Sequence, residues 1–155
     1  MKRADFTILS EPRGTLYRRL LRAGLGAASV VGLVIRSGMP MASGAGEVLA
    51  LLAPHAISDV ETTEWPGTRL LSGGAHVYRF KFTEEVANIL GRTVDGLYDW
   101  CAPALPEDLF LERSDGTVWL ATIAHERDSY LNHSDDDYTA LVLEVPEIAH
   151  SLQRT

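Results

Sequence analysis

Leu109-Phe110-Leu111-Glu112-Arg113-Ser114-Asp115-Gly116-Thr117-Val118-Trp119-Leu120-Ala121-Thr122-Ile123 is the stretch on which the fold turns. Two runs rich in aliphatic, β-branched and aromatic residues flank a Ser-Asp-Gly-Thr link. Asp-Gly suits the mirror-image turns whose twist matches that of two paired strands. The stretch predicts an antiparallel hairpin with Phe110 and Trp119 buried on its core side.

Downstream, Ser134 stands three residues before Asp137, the spacing of a capping box. Tyr138, Leu141, Val142 and Val145 follow at i, i+3, i+4 and i+7, and Pro146 ends that helix. Upstream, Ala75 to Phe82 alternates, with His76, Tyr78, Phe80 and Phe82 on one face, as a half-buried strand does. Thr83 then caps a short helix with Glu84 and Glu85 in its first turn and Gly91 at a left-handed end. Val60 to Glu64 reads as a short polar strand running into the turn Trp65-Pro66-Gly67-Thr68. Ser29 to Ile35 is apolar on both faces and suits a central strand. Ser10-Glu11-Pro12 opens a first helix that turns Leu16, Leu20 and Leu21 inward and ends at Gly24. A second helix spans 44–52 and stops at Pro54. Helices and strands alternate without βαβ spacing and no internal repeat is visible. The fold class is therefore α+β: one domain, 1–155, with a mostly antiparallel sheet and helices packed on one face.

A chain of 155 residues with 46% hydrophobic residues is long enough for one real core, which excludes intrinsic disorder. One cysteine excludes an internal disulfide framework and any cysteine-based zinc cluster, and fits a reducing, cytoplasmic setting. Charge is uneven. Residues 1–40 carry +5 and the rest −12, within a total of −7. An acidic body repels phosphate backbones and attracts basic proteins, so the expected partner is a protein with a basic surface and not a nucleic acid. The longest charge-free run, Ala23 to Ile35, is 13 residues, too short for a membrane helix. Arg18-Arg19 ahead of it has the look of a twin-arginine export signal. Asp5 and Glu11 in the leader and Arg36 at the end of the run favour a helix followed by a buried strand.

His125-Glu126-Arg127-Asp128 begins like the zinc motif H-E-x-x-H, but position 129 is serine. A looser ligand set of His125, Asp128 and His133 is the remaining metal option; no metal and no cofactor are expected. Ser134-Asp135-Asp136-Asp137 lacks the glycine of a calcium loop and reads as a helix cap. Glu107 and Asp108 are neighbours on a strand, so their side chains are expected on opposite faces, poorly placed to act as a pair. Cys101 beside Trp100 reads as a buried structural thiol. Trp65 sits in a Pro-Gly turn, which is expected to run over the surface.

Glu64-Trp65-Pro66-Gly67-Thr68, Leu105-Pro106-Glu107-Asp108-Leu109 and Trp119 to Asp128 together resemble segments of small, stand-alone bacterial proteins of immunity type. The resemblance implies a module that neutralises a cognate toxin by binding it, and it carries no catalytic motif. The leading expectation is a non-enzymatic, acidic protein-binding module. Its partner surface is expected at Trp65, Glu107, Asp108, His125, Glu126 and Asp128, where strand ends release side chains from the core. The alternative is a small hydrolase or biosynthetic accessory enzyme using His125 with Glu126, Asp128 or Glu107.

Overall fold

The computed structural model describes residues 1–155. In chain order the elements are β1 (Arg3–Ile8), α1 (Thr15–Gly24), β2 (Val30–Arg36), α2 (Ser43–Leu52), β3 (Ala56–Thr62), β4 (Glu64–Trp65), β5 (Thr68–Arg69), β6 (Ala75–Lys81), α3 (Glu84–Thr93), β7 (Glu107–Glu112), β8 (Val118–Ile123), β9 (Asp128–Ser134), α4 (Asp135–Glu144) and β10 (Leu152–Arg154). Eight strands form one sheet in the order β10-β1-β9-β8-β7-β2-β6-β3, and every neighbouring pair is antiparallel. The α+β reading holds.

The hairpin forms between β7 and β8. Gly116 takes φ 85°, a conformation open to a residue without Cβ, and Arg113 N–H donates to the Thr117 carbonyl across the turn. Phe110 and Trp119 are both buried, but they do not share a side. Trp119 joins the main core with Leu109, Leu111 and Leu120, whereas Phe110 faces the opposite surface with Val34, Ala75 and Val77. A register shift between Leu111 and Glu112 breaks the alternation that would have kept the two rings together.

All four helices lie on the main-core face. That core holds Leu20 and Leu21 of α1, Val48 and Leu52 of α2, Val86 and Leu90 of α3, and Leu141 of α4 against Val31, Leu33, Phe80, Leu111 and Leu131 of the sheet. Buried polar groups pin the layers. Tyr17 donates to the Leu90 carbonyl at 2.7 Å, and Trp100 Nε1 donates to Tyr17 at 2.9 Å, which fixes the 97–103 loop against α1. Thr83 and Ser134 cap α3 and α4 as read, the latter in a reciprocal box with Asp137. Arg18 and Arg19 belong to α1, where they bind Asp95 and Glu147.

Other expectations shift. Helix α1 begins at Thr15 after Gly14, since Pro12 and Arg13 belong to the connection from β1. Gly91 lies inside α3, which continues to Thr93. Strand β3 begins at Ala56, ahead of the expected Val60. No helix is long and apolar enough to cross a membrane.

Candidate functional site

The second face of the sheet, away from the helices, is covered at one end by β4 and β5. Gly67, at φ 88°, turns the chain between them and approaches Ile123 closely. This folds Trp65 inward. Its ring packs with Val34, Ala75, Val77 and Phe110 and is only 5% exposed, so the Pro-Gly turn runs over the surface while its tryptophan does not. Phe110 reaches this layer by lying across Gly32, where any Cβ would meet the ring.

Glu107 and Asp108 sit where β7 enters the sheet. Gly32 pairs with Phe110, but Val34 pairs with Glu107, so β7 carries one extra residue opposite Leu33. Asp108 takes up the excess at φ 57°, a left-handed conformation that Asp tolerates better than most side chains. The bulge overturns the alternation expected for neighbouring strand residues and directs both carboxylates to the same end of the second face. It also buries them. Glu107 is 4% exposed and Asp108 is 0% exposed, so the expectation that they leave the core fails.

Asp108 is held on both oxygens. Trp65 Nε1 donates to Oδ2 at 2.9 Å and the Ala124 amide donates to Oδ1 at 2.9 Å. The second bond fixes the short 3-10 turn Ala124–Glu126 that follows β8 and carries His125. Arg127, at the left-handed end of that turn, ties it from outside by donating to Glu11 at 3.0 Å. Glu107 accepts from Arg36 Nε at 3.3 Å, and the Arg36 guanidinium lies 5.6 Å from the Trp65 ring centroid.

Donor atoms of Glu107, Asp108 and His125 all lie within 4.8 Å of one another. They stand beside an open cleft of about 510 Å³ lined by Arg36, Met39, Cys101, Pro103, Glu107 and His125. Arg36 and His125 also border a second groove, of about 480 Å³, which Arg69, Leu71 and Glu126 line on its far side. Two carboxylates and an imidazole are a donor set that could hold a divalent ion. Asp108 has already committed both oxygens to N–H donors, and Glu107 has committed one to a cation.

Electrostatics follow from this crowding. Burial and the adjacent Asp108 push the Glu107 carboxyl above its ordinary range, against the opposing pull of Arg36. Burial, then Glu107 and Asp108, push the Cys101 thiol up as well, which disfavours a thiolate. Cys101 is half-buried on the cleft wall and not the enclosed thiol expected. His125 is half-exposed and bonds to neither carboxylate; its nearest acidic partner is Glu126, at 3.9 Å.

The structure thus gathers Trp65, Glu107, Asp108 and His125, and places Glu126 on the rim. Asp128 is exposed at the start of β9 and does not line the cleft. His133 lies elsewhere, buried against Trp119 with ring centroids 4.8 Å apart, so His125, Asp128 and His133 form no ligand set. Arg36 and Cys101 line the cleft although the sequence pointed to neither as a site residue. Arg36 had a weak signal, as the charge that abruptly closes an apolar strand. The chain matches no protein-family model, no curated protein and no solved structure.

Proposed function

We propose that this protein is a binding module for a basic partner protein, in the manner of an immunity-type inhibitor. Its cleft between Arg36 and His125 receives a cationic side chain of that partner. One observation carries the reading. Two buried carboxylates, Glu107 and Asp108, are answered by a single guanidinium, Arg36, beside a cleft open to solvent. A buried negative charge without a counter-charge is costly, and a lysine or arginine entering the cleft supplies one. The exposed carboxylates of Glu126 and Asp128 nearby extend the negative field outward, where it raises encounter rates with basic surfaces.

The arrangement suits binding better than acid–base catalysis. A working base is oriented by a hydrogen-bonded partner, and His125 bonds to neither Glu107 nor Asp108. Burial and the two carboxylates push the Cys101 thiol up, which disfavours a thiolate nucleophile.

Affinity capture from the native host, at low and high salt, tests the proposal. Wild type is expected to retain a basic protein at low salt and release it at high salt. Glu107→Gln preserves shape and removes the charge, and it is expected to weaken retention by about 2 kcal/mol or more, roughly 30-fold. A partner held equally by both proteins would remove the cleft from the account. Turnover of a small molecule that depends on His125 would replace binding with the hydrolase reading.

A further inference from the structure

We infer that β3 is a docking edge onto which an extended, basic segment of the partner adds as a ninth strand. The inference rests on the basic-partner reading above and assigns its second point of contact.

Strand β3 closes one side of the sheet and pairs only with β6. After a bulge between Ala56 and Ser58, its register is regular from Ser58 to Thr62. It carries no proline and no lysine, its only charges are the acids Asp59 and Glu61, and it exposes two β-branched apolar side chains, Ile57 at 51% and Val60 at 48%. An open edge of this kind offers backbone donors and acceptors to any strand that fits. Beside it lies an apolar groove of about 340 Å³ lined by Leu49, Ala53, Ile57, Tyr78 and Phe80.

Pairing with β6 fixes which side chains an added strand meets. Asp59 lies opposite Tyr78, with its carboxylate 3.1 Å from His76 Nδ1 and its other oxygen outward, and Glu61 lies opposite His76, both on the helix side of the sheet, while Val60 lies opposite Val77 on the other side. A complementary strand therefore alternates, with cations facing Asp59 and Glu61 and apolar residues facing Val60.

The same pattern disfavours a second copy of this chain. Antiparallel self-pairing with Val60 at the two-fold sets Asp59 of each copy against Glu61 of the other, and like charges directly opposite are destabilising. The acids thus repel a twin and select a basic strand. Position supports one partner for both contacts. Thr62 pairs with Ala75 and Ala75 with Arg36, so β3 ends two strands, about 10 Å, from the arginine that borders the cleft.

The test uses the full chain and a capped eight-residue peptide alternating lysine and valine, with an alternating glutamate–valine peptide as control. Binding is followed by NMR, and amide hydrogen exchange is measured along the chain. The lysine peptide is expected to bind, the glutamate peptide to fail, and exchange to slow within Ala56–Thr62. Asp59→Lys with Glu61→Lys is expected to weaken binding about tenfold or more, since two favourable cross-strand pairs become repulsive. These side chains are exposed, so the fold survives the exchange. Binding without slowed exchange in β3, or with unchanged affinity in the charge-reversed protein, overturns the proposal. So does concentration-dependent protection of β3 in the protein alone, which would make a second copy the occupant. Glu107→Gln separates the two readings. It is expected to leave peptide binding intact while weakening partner capture. Loss of only the peptide response removes the edge and spares the cleft; loss of only the capture effect does the reverse.

Discussion

The indole of Trp65 and the carboxylate of Asp108 should be energetically coupled by an amount large enough to measure. Their bond is 2.9 Å long and both groups are buried. A hydrogen bond to a charged group contributes about 1.5–3 kcal/mol net. Trp65→Phe removes the donor and some ring volume, and should cost about 2–4 kcal/mol in all. Asp108→Asn keeps a residue tolerant of the left-handed backbone and an acceptor for the Ala124 amide. It sets an amide nitrogen against the indole N–H, donor to donor, and that conflict vanishes when position 65 is phenylalanine. The two substitutions should therefore be non-additive by about 1.5–3 kcal/mol in a double-mutant cycle. Urea unfolding of the four proteins, followed by circular dichroism, supplies the numbers. A coupling below about 0.5 kcal/mol, the scatter expected of independent sites, would refute the claim that Trp65 holds the carboxylate in place.

Three further outcomes follow from the same structure. Burial holds the His133 imidazole at a pKa of about 4, below its usual 6.5. The stability this gives is complete above about pH 6.5 and is lost as pH falls towards 4, by roughly 3 kcal/mol; unfolding measured at pH 7 and pH 4.5 should show the loss, and His133→Phe should flatten it. Glu107 is shifted the other way, so its contribution falls as pH rises through the carboxylate range; Glu107→Gln should be no less stable than wild type at pH 7 in thermal unfolding, and a clear loss would mean that Arg36 outweighs burial. Gly32→Ala drives a methyl into the Phe110 ring and should cost about 3 kcal/mol, with partial recovery in the Phe110→Leu background.

What could be read in advance was local. The Ser134–Asp137 box, Thr83 and the apolar run 29–35 each carry their own structural instruction within a few residues and formed as read, while Asp115-Gly116 made its hairpin with only Gly116, and not Asp115, at positive φ. Strands β1, β9 and β10 escaped notice, β1 because Arg3-Ala4-Asp5-Phe6-Thr7-Ile8 mixes polar and apolar residues. Its partners, β9 and β10, also lie more than a hundred positions away. The site divides along the same line. Trp65, Glu107, Asp108 and His125 were singled out by residue type, but their convergence depends on one extra residue in β7. Nothing adjacent to Asp108 announces a bulge that exists only relative to β2. Arg36 joins from the end of that strand and Cys101 from a loop anchored through Trp100, Tyr17 and α3. Such long-range placements leave no periodicity to find.

The kinetics of partner exchange test the central claim most directly. With the captured basic partner in hand, association and dissociation rates are measured for wild type, Glu107→Gln, and Glu126→Lys with Asp128→Lys over a range of salt. The exposed double reversal is expected to slow association and flatten its salt dependence, while Glu107→Gln acts on dissociation, speeding it about 30-fold or more. If Glu107→Gln releases the partner at the wild-type rate, no cationic side chain sits in the cleft, and the buried pair of carboxylates is structural alone.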